Sequence, residues 1–226
     1  MRRSFIFSEG EYYHLYNRGV DKRNIFEDDH DYNRFILLLY LCNSNNPVDI
    51  GNLFTEGRSF SDVLCLNKGR NIVAIGSYVL MPNHFHILIK EITDGGVSKF
   101  MGKLLTGYSM YFNGKHGRSG SLFEGRFRAT HVDKNEYLKY LFTYIHLNPV
   151  KLIEPNWKEV GVINKETVRK HLNSYKYSSY LDYINESRLE HKVLDKNSFP
   201  DYFSFGCGFT DFVEDWLAYK DCFQLS

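Results

Sequence analysis

Two histidines separated by a single residue, His84 and His86, have the type and spacing of a metal-binding pair. Side chains alternate between the two faces of a β-strand, so both imidazoles would lie on one face, about 7 Å apart along the chain, where they could converge on one ion. Phe85 would take the opposite face and anchor the strand in the core. A pair of this kind carries little weight alone, because two such histidines are more often structural.

A tyrosine and an asparagine four residues apart, Tyr144 and Asn148, form the second informative pair. The helix predicted before Pro149 would place both on one face, one turn apart. Its opposite face would be buried and carry the apolar residues Leu138, Leu141, Phe142 and Ile145. Tyr137 and Tyr140 extend the tyrosine side, so a packing face rich in tyrosine is the alternative interpretation of Tyr144.

Together, the two pairs predict a site for phosphoryl transfer. Two imidazoles and an amide oxygen make a neutral set of three ligands with open positions, which suits Mg²⁺ or Mn²⁺ held partly by a substrate phosphate. A tyrosine one helical turn from a ligand could attack that phosphate and store the broken linkage as a covalent ester. Because a free phenol has a pKa of about 10, its deprotonation at pH 7.5 costs about 3.4 kcal/mol, part of which a metal or a nearby cation must supply.

The distribution of charge favours a polyanionic partner. The 226 residues contain 28 Lys and Arg against 27 Asp and Glu, a net charge of +1, but residues 97–151 hold nine basic and three acidic residues. A basic middle in a neutral protein is typical of a face that binds nucleic acid, and an ordinary solvated helix surface is the alternative. The side chains there that could contact phosphates or guanine edges are Lys103, Lys115, Arg118, Arg126 and Arg128.

Composition excludes several classes of protein. With 43% apolar and 16% aromatic residues, the chain is not expected to be disordered. No apolar run approaches the roughly 18 residues of a spanning helix, and the stretch after Arg2 and Arg3 is too short for an export signal, so we expect a cytoplasmic protein without membrane contact. The four cysteines show no Cys-x-x-Cys spacing, which argues against a zinc knuckle or a redox pair.

The hydrophobic pattern predicts an α+β protein in which helices pack on an antiparallel sheet. Alternating segments predict strands at 11–18, 71–80, 84–91 and 127–132. Helical periodicity predicts helices at 28–42, with Asp28 or Asp29 as the N-cap, at 97–113 and at 134–147. Residues 45–70 contain Pro47 and several glycines and are predicted to form a loop insertion.

Four ordered segments resemble a known family. They read YHLYNRG at 13–19, IFED at 25–28, YVLMPNHFH at 78–86 and YIHLNPVK at 144–151, and a later segment, YSSY at 177–180, matches a further signature. The combination resembles the single-tyrosine HUH transposases of the insertion-sequence-200 type, and most closely the REP-associated tyrosine transposases. Four motifs in the correct order are far more specific than any one of them.

The resemblance implies a ferredoxin-like antiparallel sheet in a domain at 1–182, followed by a C-terminal extension at 183–226. It implies an enzyme that nicks and rejoins single-stranded DNA beside imperfect hairpins, through a 5′-phosphotyrosine intermediate and a free 3′-OH. Carried over residue by residue, it makes His84 and His86 the metal-binding pair, Tyr144 the nucleophile and Asn148 the third ligand, with Mg²⁺ or Mn²⁺ as the ion. A homodimer is a further expectation.

Three alternatives stay open at this point. The first is a domesticated, non-mobile relative that binds or processes repeated hairpins of its host genome. The second is a catalytically silent nucleic-acid-binding protein that keeps the fold alone, and the third is a small metallohydrolase unrelated to DNA. The sequence also places His14 on the first predicted strand, where it could approach the site from a neighbouring strand, although a core or surface histidine is the favoured interpretation.

Overall fold

The protein folds around one antiparallel β-sheet. The computed structural model describes residues 5–47, 53, 57–184, 187–202 and 208–218. In that part of the chain, four strands pair in the order β2-β3-β1-β4, with β1 and β3 in the centre. The strands are β1 (Tyr12–Arg18), β2 (Val73–Met81), β3 (His84–Glu91) and β4 (Arg128–Val132). This order is ferredoxin-like and confirms the predicted fold class.

A turn at Pro82 and Asn83 joins β2 to β3 and sets their register. In this register His86 of β3 pairs with Val79 of β2 on one side and with Tyr16 of β1 on the other. The predicted strands and main helices agree with the observed bounds to within two residues at either end. The alternation of side chains therefore holds along the whole central pair of strands.

Helix α1 (Asp29–Cys42) covers one face of the sheet. It begins after Asp28, whose carboxylate accepts a hydrogen bond from the Asp31 N–H and so satisfies a free donor of the first turn. The stripe predicted for this helix is fully buried and consists of Phe35, Ile36, Leu38 and Leu39. Burial of this stripe fixes the helix on the sheet.

The segment predicted as a loop insertion at 45–70 contains a short helix, α2 (Phe60–Leu64). Ser59 and Asp62 form a capping box at its start, in which each side chain bonds to the backbone of the other. Val63 and Leu64 are buried in the main core. The described part of this segment thus holds one short helix, and its status as an insertion stays a prediction.

Helix α3 (Gly96–Lys115) lies beside α1 on the same face of the sheet. Its buried residues include Phe100, Leu104 and Tyr108, which join the main core together with Phe85 and Ile87 of β3. The residues of β3 that point to the other side, at 84, 86 and 88, therefore face away from α1 and α3.

Helix α4 (Asn135–Leu147) covers the opposite face of the sheet. Its predicted apolar stripe is buried against Val79, Leu88 and Val132 and consists of Leu138, Leu141, Phe142 and Ile145. A 3₁₀ segment at Asn148–Leu152 continues the helix, and Pro149, which has no N–H, ends the α-helical hydrogen bonding. The helix with Tyr144 thus lies over the strand face with the histidines.

Short helices follow and pack on the end of α4. They are α5 (Trp157–Val160), α6 (Lys165–Ser174), α7 (Tyr180–Ile184) and α8 (Phe209–Ala218). Together with Leu147 and Val150, their apolar residues form a third core, made of Trp157, Val168, Leu172, Tyr180, Phe209, Val213 and Leu217. None of the helices in the described ranges is long and apolar enough to cross a membrane.

The described part of the predicted C-terminal extension packs against the sheet. Two 3₁₀ turns, at Leu189–Val193 and Lys196–Ser198, bring Phe199 over β2 at Gly76. The strand register shifts at this glycine, and a Cβ there would lie 2.7 Å from the Phe199 ring. A residue without a side chain is therefore required where this turn crosses the strand. The division at 182 stays a prediction.

Candidate active site

The histidine pair lies on β3 and faces α4. His84 and His86 share one face of the strand, as the alternation predicts, and their ring centroids are 5.1 Å apart. Leu88, two residues further along the same face, packs in the core beneath α4. His84 is half-buried, whereas His86 is 7% exposed. The pair therefore sits where the interface between β3 and α4 opens to the surface.

The tautomer of His84 follows from its neighbour Asn83. The Asn83 Nδ2 donates to the Lys22 carbonyl, which fixes the orientation of the amide, and its Oδ1 lies 2.6 Å from the His84 Nδ1. An amide oxygen only accepts hydrogen bonds, so the His84 Nδ1 carries the proton. The His84 Nε2 is left with a lone pair that can bind a metal ion.

His86 has a partner of its own on the neighbouring strand. The Nδ1 of His86 lies 2.9 Å from the Nε2 of His14, and the two rings stack with centroids 5.0 Å apart. His14 is 6% exposed. The pairing of β1 with β3, a contact between distant parts of the chain, brings this buried histidine to the pair from the neighbouring strand.

The three imidazoles are held in their neutral form. Burial lowers the pKa of His14 to about 4. Burial and the cations Lys151, Lys158 and Arg18 lower the pKa of His84 to about 4, and burial with the two neighbouring histidines places the pKa of His86 well below its usual value. Neutral imidazoles retain the lone pair that a metal ligand needs.

Tyr144 meets this histidine cluster from α4. Its ring centroid lies 5.6 Å from that of His86 and 5.9 Å from that of His14, and the side chain is half-buried. The Asn148 side chain lies one turn beyond Tyr144, close enough to influence the pKa of both the Tyr144 hydroxyl and His84, and its Nδ2 donates to the Tyr144 carbonyl at 2.9 Å. The structure thus brings Tyr144, Asn148, His84 and His86 together in one chain.

The environment of Tyr144 works against a phenolate in the free protein. Burial raises the pKa of Tyr144, and the hydrogen bond with Asn148 opposes that rise. Two other tyrosines of the basic middle segment lie away from the histidines, since Tyr108 is buried in the main core and donates to the Ile25 carbonyl, and Tyr111 donates to Asp31. Tyr144 and Tyr16 of β1 both lie beside His86, each with its ring centroid 5.6 Å from that of His86, and Tyr144 is the one that the ordered motifs predict as the nucleophile.

A groove of about 620 Å³ begins at His84. Its walls include the cationic side chains Lys22, Arg128 and Lys151, and the ion pair of Arg18 with Glu124. Arg128 is exposed, and its strand β4 pairs with β1 at Tyr16. The groove thus leads from the histidine pair along a surface with an excess of positive charge.

Of the basic residues predicted to contact DNA, Arg128 is the one that lines this groove. Arg126 is exposed two residues earlier. Lys103 donates to the Ser44 carbonyl, Lys115 forms ion pairs with Asp28 and Asp31, and Arg118 lies over the Phe112 ring. The sequence pattern missed Lys22 and Lys151, which reach the groove through the turns that follow β1 and α4.

Comparison with known families adds a decisive observation to this geometry. The family model described as "Transposase IS200 like" matches residues 9–148, which include His84, His86, Tyr144 and Asn148. The chain belongs to the IS200-like transposase family. Membership of a transposase family implies that the protein is an enzyme, in agreement with the prediction from the ordered motifs.

One solved structure shares the fold of this transposase, and a second shows a weaker likeness. A REP-associated tyrosine transposase bound to a REP hairpin is 12% identical, with a TM-score of 0.50, and the alignment covers 92% of this chain and 96% of that chain. A candidate transposase of Deinococcus radiodurans is 13% identical, with a TM-score of 0.34, and covers 64% of this chain and 94% of that one. No curated protein matches the sequence.

Two other motif residues of this IS200-like transposase are structural. His146, one of the most buried side chains of α4, bonds through its Nε2 to the Ser179 Oγ at 2.7 Å. The same Ser179 Oγ accepts from the Tyr78 N–H, and the Ser179 N–H donates to the Tyr78 carbonyl. The YSSY segment therefore covers the edge strand β2 and ties it to the helix with Tyr144.

Proposed function

We propose that this transposase nicks and rejoins single-stranded DNA with Tyr144 as its nucleophile. The observation that carries the proposal is that the Tyr144 ring lies beside His86, with Asn148 one turn further along α4, while the neighbouring His84 lines a cationic groove. We expect a phosphodiester that binds at the His84 end of this groove to approach the phenol oxygen and both imidazoles. This is the arrangement that a tyrosine-dependent strand transferase requires.

The chemistry of the proposed step is a transesterification. The Tyr144 oxygen forms a bond to phosphorus, the bond from phosphorus to the 3′ oxygen breaks, and the protein carries a 5′-phosphotyrosine while the DNA keeps a free 3′-OH. The phenolic proton leaves to solvent, and the 3′ oxygen takes one from solvent. Asn148 orients the phenol, and the half-buried site limits access of water to the ester.

His84, His86 and Asn148 fit a divalent ion such as Mg²⁺ or Mn²⁺. The Nδ1 atoms of both histidines have hydrogen-bond partners, and in the tautomer in which the His86 Nδ1 donates to the His14 Nε2 both neutral rings keep the Nε2 lone pair for an ion. In the described part of the chain no group of three His, Cys, Asp or Glu residues could hold a metal. The ligand set is thus uncharged and leaves room for a phosphate oxygen, and an ion bound there would polarise the phosphoryl group.

The DNA partner we propose is a single strand beside an imperfect hairpin. The similar REP-associated tyrosine transposase is bound to a REP hairpin, and the groove next to His84 in this chain has a cationic wall that suits a phosphodiester backbone. Tyr144 contacts the histidines of its own chain, so a single chain holds all the proposed groups. A homodimer stays a prediction.

A hairpin oligonucleotide incubated with the protein and Mg²⁺ tests the proposal. We expect a covalent protein–DNA band that survives denaturation and depends on the divalent ion. Hairpin binding without such a band would favour the catalytically silent binding protein, and turnover of a small ester without DNA binding would favour the unrelated metallohydrolase.

Substitution of the cations along the groove should weaken DNA binding uniformly. Each phosphate contact that is lost should reduce the salt slope of the binding constant by about 0.7 for a single strand. We expect Arg128→Ala and Lys151→Ala each to show this change in a titration of a labelled oligonucleotide between 50 and 200 mM salt, the range over which phosphate contacts are screened. Lys99→Ala, at an exposed position on α3, is the control. An unchanged slope would remove the residue concerned from the interface.

Loss of His14 should lower the metal affinity of the proposed site, although His14 is not itself one of the proposed ligands. His14→Ala removes the hydrogen-bond partner of the His86 Nδ1, which then loses its fixed orientation. We expect Mn²⁺ affinity, measured by electron paramagnetic resonance with hairpin DNA present, to fall roughly 10- to 100-fold. His14→Gln, which can still accept a hydrogen bond, should recover part of the affinity. Equal Mn²⁺ affinity in the wild type and in His14→Ala would leave His14 with a packing role alone.

A further inference from the structure

A lysine outside the matched span lies against the proposed nucleophile. The Nζ of Lys158, on α5, is 4.1 Å from the centroid of the Tyr144 ring. The neighbouring Trp157 is 2% exposed and packs with Leu147 and Val150 at the end of α4, so α5 is anchored next to the proposed site. The position of Lys158 over the ring is therefore a consequence of the fold.

The positive charge of Lys158 acts on both histidines. After the larger effect of burial, Lys158 contributes to the lowered pKa of His84 and of His86, so its ammonium lies near the point where the rings and the phenol meet. Lys151, on the groove wall, also lowers the pKa of His84. Burial and the like charge of Lys151 lower the pKa of Lys158 to about 8, which leaves it mostly charged at neutral pH.

Two cations beside uncharged imidazoles repel one another and attract an anion. The charge of Lys151 disfavours the charge of Lys158, and a phosphate bound between Tyr144 and the histidines would relieve that repulsion. A phosphodiester bound there also gains negative charge on its phosphoryl oxygens during transfer. A fixed ammonium next to such an oxygen stabilises the transition state more than the bound substrate.

We propose that Lys158 binds the scissile phosphodiester and stabilises the charge that develops on its phosphoryl oxygens while Tyr144 attacks. This inference rests on the proposed function. The lysine exchanges no proton in the step: the phenol oxygen bonds to phosphorus, the 3′ oxygen leaves, and Lys158 stays an ammonium throughout. Lys158 is thus a substrate-binding residue supplied by the segment that follows the matched family span.

Single-turnover kinetics of adduct formation separate this role from simple packing. With saturating hairpin oligonucleotide and Mg²⁺, we expect Lys158→Ala to slow adduct formation roughly 100-fold while hairpin affinity changes by less than about threefold. Lys158→Arg keeps the positive charge and should recover most of the rate. Lys139→Ala is the matched control, since the Lys139 Nζ lies 4.8 Å from the centroid of the Phe212 ring, a contact of the same kind on the surface of α4.

A neutral substrate gives the sharpest readout. An oligonucleotide with a methylphosphonate at the cleaved position has a neutral linkage there, without the charged phosphoryl oxygen. A cation that stabilises this charge in the transition state therefore accelerates the reaction less. We expect the difference in rate between the wild type and Lys158→Ala to shrink to about threefold or less on this substrate. A defect caused by misplacement of Tyr144 would instead be as large on the neutral substrate as on the natural one.

The outcomes separate a failure of the proposed function from a failure of the role proposed for Lys158. Absence of an adduct with the wild-type protein would overturn the proposed function itself. A wild-type adduct with an equal rate in Lys158→Ala, or with a defect that persists on the methylphosphonate, would overturn the role of Lys158 alone. Thermal unfolding accompanies each measurement, and Lys158→Gln, which keeps most of the aliphatic stem, replaces the alanine variant if that variant is unstable.

Discussion

Tyr144→Phe is expected to abolish the covalent protein–DNA adduct and to leave hairpin binding within about threefold of the wild-type value. The substitution removes the oxygen that would attack phosphorus and keeps the ring that lies beside His86 and beneath Lys158. Loss of a nucleophile removes the whole chemical step, so we expect adduct formation to fall roughly 1,000-fold or more. A denaturing gel of labelled hairpin DNA, with affinity measured in parallel, checks both parts.

Tyr140→Phe is the matched control for this experiment. Tyr140 lies four residues earlier on α4, and its ring centroid is 5.8 Å from that of Tyr144. It shares the helix and the face, and burial raises its pKa to about 12. We expect this variant to form the adduct at nearly the wild-type rate. A persistent adduct in Tyr144→Phe would contradict the proposal, and a mass spectrum of the labelled peptide would identify the tyrosine that reacted.

The fold was predictable because its signals are local. The alternation at 84–91 places His84 and His86 opposite Phe85 and Ile87, and the two-residue turn before it can only join antiparallel neighbours. The helical stripe at 138–145 has one apolar face, which must cover a sheet. The short helix α2 escaped prediction because one helical turn has too few residues for a period to emerge.

The site was predictable in its matched motifs and not in its supporting contacts. His14 reaches His86 through strand pairing, and no spacing along the chain encodes which strands become neighbours. Lys158 reaches Tyr144 because the chain folds back after the 3₁₀ segment at Asn148–Leu152. Such contacts depend on tertiary packing, which a single sequence does not express as a period or a motif.

Charge patterning predicted the proposed DNA-binding surface only in part. The excess of positive charge at 97–151 is present, but Lys115 is used in ion pairs with Asp28 and Asp31 that hold α3 to the start of α1. Arg128 and Lys151 lie at the groove instead. A count of charges along the chain cannot distinguish a lysine that pairs with a buried carboxylate from a lysine that lines a groove, because the difference lies in tertiary contacts.

His84→Ala and His86→Ala are expected to stop nicking while hairpin binding is retained. Each variant removes one imidazole of the proposed metal site, and neither imidazole is charged, so the attraction between the groove and DNA phosphates is preserved. We expect adduct formation to fall roughly 100-fold or more in each variant, with hairpin affinity changed by less than about threefold. His84→Ala is the cleaner variant, because His84 is half-buried, whereas loss of His86 also leaves the buried His14 Nε2 without its partner.

Mn²⁺ binding tests the same two residues without reference to activity. The proposed ligands carry no charge, so the ion should bind weakly to the free protein and more tightly when hairpin DNA contributes a phosphate oxygen. Electron paramagnetic resonance should show this increase in the wild type and its loss in His84→Ala and His86→Ala. His131→Ala is the control, since His131 lies on β4 of the same sheet and bonds to Glu11 at 2.6 Å. Equal loss of hairpin binding and nicking in the two active-site variants would instead assign the histidines to DNA recognition or to the fold, and retained Mn²⁺ binding would exclude them as ligands.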